Sequence, residues 1–175
     1  MVGKYLGHGG FCTVTELQAT KLKDGGKNDE EPEAGARTQN RSYIAANYLR
    51  NGEARYAIKK LTKDLYQARP EQTFISGVID IMIEVKYLSV ISHPNIIKMR
   101  AIADSEPSSR DFFIVLDRLD ETLTQRVDVW KKEKGKGRMF KKSKDDETDF
   151  THRLIVGLDI VSALKYLHDN NIVYR

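Results

Sequence analysis

Three glycines stand close together near the N-terminus, in the segment Leu6-Gly7-His8-Gly9-Gly10. Phe11 and Val14 follow in a run of β-forming residues, so the glycines are predicted to form a turn between two short strands. Because glycine has no Cβ, the backbone of such a turn can approach a phosphate and direct its amides at the oxygens. The alternative is an ordinary hairpin turn. A turn between two strands, without a following Gly-Lys-Ser/Thr, is not typical of a dinucleotide fingerprint or a P-loop.

A second group that could act on phosphates is a lysine in the run Tyr56-Ala57-Ile58-Lys59. The residues read as part of a strand, and a strand fixes a cation more firmly than a loop does. Lys60 is the rival, but alternation places Lys59 on the same face as Ala57 and Lys60 on the other face. The alternative is a pair of surface lysines on an edge strand.

A carboxylate that could partner this lysine is Glu84. It lies in a predicted helix, beside Ile81 and Leu88 at the margin of the apolar stripe. A charge in that position is costly unless it is paired. The alternative is a glutamate on the solvated face of the helix.

The elements that must position these groups are strands arranged around one helix. Strands are predicted within residues 4–20, at 54–61, near 97–103 and at 111–117. A helix is predicted at 71–91, with Gly77 as its weak point and an apolar stripe of Val78, Ile81, Val85 and Leu88. Further helices are predicted at 120–131 and 150–169, the last with a stripe of Leu154, Leu158, Val161 and Leu164. Strands in hairpins indicate an antiparallel sheet and the α+β class.

Two segments are predicted to be inserts outside the packed core. Residues 21–41 have almost nothing apolar and are expected to be disordered, while 43–50 could add a short helix or strand. Residues 131–144 contain eight basic residues and one acidic residue, whereas the whole chain has a net charge of +4. A flexible solvated loop is favoured there, and a nucleic-acid or membrane-surface patch is the less favoured alternative.

The composition places the protein in the intracellular class. Cys12 is the only cysteine of the 175 residues, so no disulfide can form within the chain. The sequence shows neither a signal peptide nor an apolar run long enough to cross a membrane. A cytoplasmic location is expected, with the nucleus as a second compartment, and no membrane partner is expected.

Taken together, the motifs resemble the N-terminal portion of a eukaryotic-type protein kinase domain. The segment from Leu6 to Val14 is similar to the glycine-rich loop that covers the phosphates of ATP, and Tyr56-Ala57-Ile58-Lys59 is similar to the family's Val-Ala-Ile-Lys strand. Glu84, followed by His93-Pro94-Asn95, resembles the glutamate of helix αC that pairs with the lysine. One departure is Cys12, where the family usually has glycine or serine; it places a thiol near the phosphate site.

The resemblance implies a fold and its boundaries. Residues 1–118 would form the kinase small lobe, a five-stranded antiparallel sheet with helix αC and a disordered insert at about 21–42. Residues 119–175 would form the first helices of the large lobe, with a basic insert at about 131–148. These helices would lack most of their packing partners, so exposed apolar surface and aggregation are expected.

The resemblance also implies the residues of the site. Lys59 and Glu84 would be the catalytic pair, Leu116 would stand at the back of the adenine pocket, and the backbone of Asp117 to Leu119 would bond the adenine edge. The residues expected to bind ATP are Leu6, Gly7, His8, Gly9, Gly10, Phe11, Val14, Ala57, Lys59, Leu116, Asp117 and Leu119. The ligands of Mg²⁺ are expected beyond the end of the chain.

The end of the chain resembles helix αE entering the catalytic loop, with Tyr174 in place of the family's histidine and Arg175 after it. The catalytic aspartate and the Asp-Phe-Gly motif would follow, so the 175 residues alone are not expected to transfer phosphate. The implied function of the complete protein is a serine/threonine kinase acting with ATP on protein substrates. The alternative is a truncated kinase or pseudokinase that binds a nucleotide or a partner without catalysis.

Overall fold

The computed structural model describes residues 2–18, 42–67, 71–136 and 144–173. The chain divides into two compact units. The first comprises Met1–Ile91 and Ile97–Arg118, and the second comprises Ser92–Ile96 and Leu119–Arg175. Residues 21–41, which are expected to be disordered, lie outside the described residues, as do Tyr174 and Arg175. The assignment of 1–118 and 119–175 to two kinase lobes stays a prediction.

The first unit is built on a five-stranded antiparallel sheet with strand order β1-β2-β5-β7-β6. Its strands are β1 (Val2–His8), β2 (Cys12–Leu17), β5 (Tyr56–Leu61), β6 (Met99–Ile102) and β7 (Ile114–Asp117). The predicted α+β class and the five-stranded antiparallel sheet are confirmed. The strands after β2 are shorter than predicted, since 54, 55, 97, 98, 103 and 111–113 fall outside this sheet.

The chain before β5 forms a small hairpin and a cover for one face of the sheet. Residues 42–46 are helical, and β3 (Leu49–Arg50) pairs with β4 (Glu53–Ala54). Asn51 and Gly52 form the connecting turn, both with positive φ (53° and 82°), as a two-residue hairpin turn requires. Ile44 is buried against a cluster of Leu17, Tyr56, Ile58 and Val115. The helix-or-strand expectation for 43–50 is therefore met by both, with one side chain contributing to the core.

The opposite face of the sheet packs against helix α1 (Glu71–Val90) and a 3₁₀ helix at Lys63–Gln67. Ile81 is fully buried there, and Val78, Val85 and Leu88 pack against the same cluster, as the apolar stripe predicts. The cluster also contains Cys12, Leu61, Leu65, Phe112, Ile114 and Leu116. Helix α1 ends at Val90, shortly before His93-Pro94.

The second unit contains helices α2 (Leu123–Lys136) and α3 (Lys144–Asp169). The loop Ser92–Ile96 is bonded to α3, where the Asn95 amide donates to the Asp159 carboxylate at 2.9 Å. His93 lies 3.3 Å from the Ser162 hydroxyl through Nε2. Helix α3 stops at Asp169, and Asn171 adopts the left-handed conformation (φ 58°) that commonly follows a helix end.

The predicted bounds of the two helices of this unit were wrong. Helix α2 begins at Leu123 rather than 120, because Thr122 caps it: the Gln125 amide donates to Thr122 Oγ1 (3.2 Å), and the Thr122 amide donates to Gln125 Oε1 (2.8 Å). It continues to Lys136, and α3 already begins at Lys144 rather than 150. The loop expected at 131–144 is therefore helical in its described residues, 131–136 and 144. Lysine, arginine and glutamate are good helix formers, so a charged run does not by itself exclude a helix.

The apolar stripe predicted for α3 is present but largely uncovered. Leu154, Leu158 and Val161 are 54%, 67% and 62% exposed, whereas Leu167 is buried. The expectation of exposed apolar surface on this helix is thus met, and aggregation stays a prediction. Among the described residues, no helix combines the length and the apolar character needed to cross a membrane.

Candidate functional site

The glycine segment forms the turn of the β1–β2 hairpin, where the Gly9 amide donates to the Cys12 carbonyl (2.8 Å). None of Gly7, Gly9 and Gly10 has a positive φ, and an added Cβ at any of the three would meet no atom within 4 Å. Neither the backbone conformation nor the packing of this unit therefore requires glycine at these positions. His8 and Leu6 of the same segment are exposed.

The central strand β5 places Ala57 and Lys59 on one face of the sheet. Lys59 stands opposite Val14 on β2 and opposite Ile114 on β7, while Ala57 stands opposite Leu116. Directly opposite residues of antiparallel strands share a face. Val14, Ala57, Lys59 and Leu116, all predicted site residues, thus lie on the face that also meets α1. Lys60 stands opposite Thr13 and points to the other side.

Lys59 and Glu84 form an ion pair in which the lysine ammonium donates to Glu84 Oε2. Their side chains are 21% and 26% exposed, so water screens the pair only in part. Helix α1 positions Glu84 because Ile81, one turn earlier, is fully buried in the core beneath the sheet. Helix α1 therefore holds the Lys59 ammonium through Glu84, at the edge of the apolar cluster.

Cys12 does not present a thiol to this face as a reactive group. Its side chain is 2% exposed and belongs to the apolar cluster with Leu61 and Ile81. Burial raises the pKa of the Cys12 thiol from 9.0 to about 11, against the opposing effect of Lys59. The thiol is thus neutral at physiological pH. The expectation of a thiol beside the phosphate site is corrected to that of a core residue.

Phe11, predicted to lie beside ATP, packs against the same apolar cluster at the tip of the hairpin. It lies against Gly77 of α1, where an added Cβ would stand 3.2 Å from Phe11 Cβ and 3.3 Å from methyl groups of Leu61 and Leu65. Gly77, the weak point of the helix in the sequence, is therefore buried because the hairpin tip occupies the space of its missing side chain.

The last residue of β7 and the residue after it are fixed through their backbone amides. The Asp117 amide donates to the Lys98 carbonyl (3.1 Å), and the Arg118 amide donates to the Arg55 carbonyl (3.0 Å). The Arg100 guanidinium donates two hydrogen bonds of 2.7 Å to the Asp117 carboxylate. These hydrogen bonds raise the pKa of Arg100. Leu119, the last predicted site residue, belongs to the second unit and is 63% exposed.

Two residues of this face were missed in the sequence. Arg118 Nε donates to Glu16 Oε1 (3.1 Å), and both side chains are largely buried. Glu16 lies two residues after Val14 on β2, so alternation alone would have placed it on the site face. The partnership with Arg118 spans 102 positions of the chain and has no local signal.

The structure also contains an open depression of about 370 Å³ on the glycine hairpin, which is formed by β1, β2 and the glycine turn between them. It is bordered by Tyr5, Thr13, Asp64 and the turn His8–Gly10, and by neither Lys59 nor Glu84. This depression is thus distinct from the face that carries the ion pair. Among the described residues, no group of three His, Cys, Asp or Glu side chains is arranged to hold a metal ion.

Comparison with known proteins finds partial similarity to plant protein kinases. The chain is 28% identical over 122 residues to mitogen-activated protein kinase 19 of Arabidopsis thaliana, a match that covers 68% of this chain and 17% of that protein. It is 29% identical over 104 residues to mitogen-activated protein kinase 8 of Oryza sativa subsp. japonica, covering 58% of this chain and 16% of that protein. The match thus spans about a sixth of these relatives. No family model and no solved structure matches the chain. The similarity indicates a protein kinase-like region.

Proposed function

We propose that this chain is the ATP-binding part of a protein kinase, which in the complete protein transfers the γ-phosphate of ATP to serine or threonine hydroxyls of a protein substrate. The partial similarity to plant mitogen-activated protein kinases supports a kinase-related function in general. Because the match spans about a sixth of those proteins, transfer itself is proposed for the complete protein only.

The observation that carries the proposal is the Lys59–Glu84 ion pair on the sheet face shared with Val14, Ala57 and Leu116. A lysine on a central strand, held by a helix glutamate, is a fixed cation of the kind that binds the α- and β-phosphates in kinases. Ala57 and the apolar Leu116 stand directly opposite each other on the same face as that cation and are 3% and 5% exposed. A nucleotide needs a cation for its phosphates and apolar side chains for its base.

The glycine turn supports the same reading. Gly7, Gly9 and Gly10 stand beside open space and adopt conformations open to any residue, so internal packing does not explain them. Close approach of a ligand to the backbone would explain them, because a Cβ would stand between the turn amides and an anion. In the proposed complex, the turn covers the phosphates that Lys59 binds.

The roles of the chain's own residues follow from charge and position. Lys59 neutralises phosphate charge, and Glu84 keeps its ammonium in place and prevents the side chain from turning to solvent. Ala57, Val14 and Leu116 contact the base. Mg²⁺ is proposed for the complete protein, and none of these roles depends on it. A cytoplasmic location belongs to the same proposal.

Calorimetric titration of ATP into the 175-residue chain tests the proposal. Wild type is expected to bind, and Lys59→Met to weaken binding by about 10- to 100-fold, since hydrogen bonds to charged groups contribute roughly 1.5–3 kcal/mol. Lys60→Met is the matched control on the other face and is expected to stay within about twofold, as for an exposed charge. Absence of ATP binding by a folded wild-type chain, or equal losses in both variants, would contradict the proposal.

A further inference from the structure

The Glu16–Arg118 ion pair links strands that are not neighbours. Glu16 lies on β2 and Arg118 directly follows β7, and the two strands are separated by β5 in the sheet. The β2–β5 and β5–β7 ladders connect them only indirectly. The bond from Arg118 Nε to Glu16 Oε1 is therefore a direct side-chain connection between the glycine hairpin and the segment that begins at Asp117.

The pair lies on the sheet face proposed to bind the nucleotide, which carries Val14, Ala57, Lys59 and Leu116. Glu16 stands opposite Ala57, which in turn stands opposite Leu116. Lys59 is two residues from Ala57 along β5, toward the turn of the hairpin. Glu16 is thus level with the apolar Ala57 and Leu116, and Lys59 lies two residues farther along the same face.

Because the pair is largely buried, breaking it is expected to cost more free energy than breaking an exposed pair. The side chains of Glu16 and Arg118 are 12% and 16% exposed, whereas Glu53, the second carboxylate bonded to Arg118 (3.4 Å), is 71% exposed. A partly buried pair is screened little by water, so removing Glu16 takes from Arg118 a more buried partner than the exposed Glu53. The Arg118 backbone is held by its bond to the Arg55 carbonyl, so the ion pair ties the Glu16 end of β2 to a fixed point.

We infer that Arg118 is a positioning residue that, through Glu16, holds β2 of the glycine hairpin in place beside Ala57 and Leu116, the residues proposed to contact the base. This inference rests on the proposed function for its ligand. It assigns Arg118 no contact with phosphate. Its effect is therefore specific: losing the pair weakens binding of the nucleoside part, and the additional affinity that ATP gains from its phosphates stays the same.

The test compares adenosine and ATP binding by calorimetry in Glu16→Gln, Glu53→Gln and wild type. Glu16→Gln is expected to weaken both ligands by the same factor of about 3- to 30-fold, and Glu53→Gln, the same change on the exposed partner of the same arginine, to stay within about twofold. Lys59→Met is expected to lower the preference for ATP over adenosine. Equal effects of Glu16→Gln and Glu53→Gln, or a changed ATP preference in Glu16→Gln, would overturn the inference.

Amide hydrogen exchange on the ligand-free chain separates this inference from the proposed function. Faster exchange at residues 2–17 in Glu16→Gln than in Glu53→Gln is expected, with α1 unchanged. If wild type binds neither ligand, the proposed function fails, and the exchange result alone decides whether the pair positions the hairpin. Identical exchange in the two variants would overturn the positioning role even if ATP binds.

Discussion

Gly77 of α1 lies directly against Phe11 at the tip of the glycine hairpin, with 3.2 Å between the position of an added Cβ and Phe11 Cβ. The same position would lie 3.3 Å from side-chain carbons of Leu61 and Leu65. The helix that carries Glu84 and the hairpin that carries the glycines are thus in contact at a point where an added side chain would have to displace its neighbours by a few tenths of an ångström. A shift of α1 therefore moves both the glutamate and the hairpin tip.

We expect Gly77→Ala to lower the free energy of unfolding by about 1 kcal/mol. Overpacking a core costs roughly 1–3 kcal/mol, and the better helix propensity of alanine returns about 1 kcal/mol. Denaturant unfolding measures the change. Gly157→Ala is the matched control, because Gly157 lies within α3 with no atom within 4 Å of an added Cβ. That variant is expected to gain up to about 1 kcal/mol. A gain at Gly77 equal to the gain at Gly157 would show that the contact with Phe11 imposes no constraint.

Cys12 should resist alkylation in the folded chain and make stability pH-dependent. Its pKa is raised by burial from 9.0 to about 11, so the folded state retains a proton that the unfolded state loses in this range. The stabilisation is complete below pH 9, and it is lost as the pH rises toward 11. Chemical unfolding of wild type and Cys12→Ala at several pH values isolates this contribution.

The wild-type chain is expected to lose more stability than Cys12→Ala between pH 9 and 11. Iodoacetamide at pH 8 should label Cys12 only when denaturant is present. Rapid labelling of the folded chain would mean that the thiol faces solvent and that the hairpin packs differently.

Ile44 tests whether the insert before β5 is part of the folded core. It is 7% exposed against Leu17, Tyr56, Ile58 and Val115, on the sheet face opposite α1. Ile44→Ala is expected to cost about 2–5 kcal/mol, as for other large-to-small core substitutions. Its neighbour Tyr43 is 54% exposed, so Tyr43→Ala should change the free energy of unfolding by about 0.5 kcal/mol or less. Equal, small effects would place the insert outside the core.

The sequence predicted the features that depend on local periodicity. Alternation along β5 assigned Lys59 and not Lys60 to the face that meets α1, and the spacing of Val78, Ile81 and Leu88 identified the buried side of α1. Both patterns repeat within a few residues, so the chain itself records them. The antiparallel sheet followed from the same reasoning.

The features that the sequence did not reveal depend on distant partners or on caps. The Glu16–Arg118 bond joins residues 102 positions apart, and the burial of Cys12 depends on α1 packing over β2. Ile44 stood in a segment treated as an insert, although Asn51-Gly52 after it is a strong hairpin signal. The start of α2 at Leu123 is set by the capping box of Thr122 and Gln125, and apolar periodicity does not reveal it.

We propose that Lys59, held by Glu84, faces the phosphates of a bound nucleotide. An ATP analogue with a reactive acyl group on its terminal phosphate transfers that group to the nearest lysine amine, and peptide mass spectrometry then identifies the lysine. Acylation of Lys59 is expected, suppressed by excess ATP and unchanged by excess inorganic phosphate. Labelling of Lys60 or of the basic segment 131–144 instead, without protection by ATP, would contradict it.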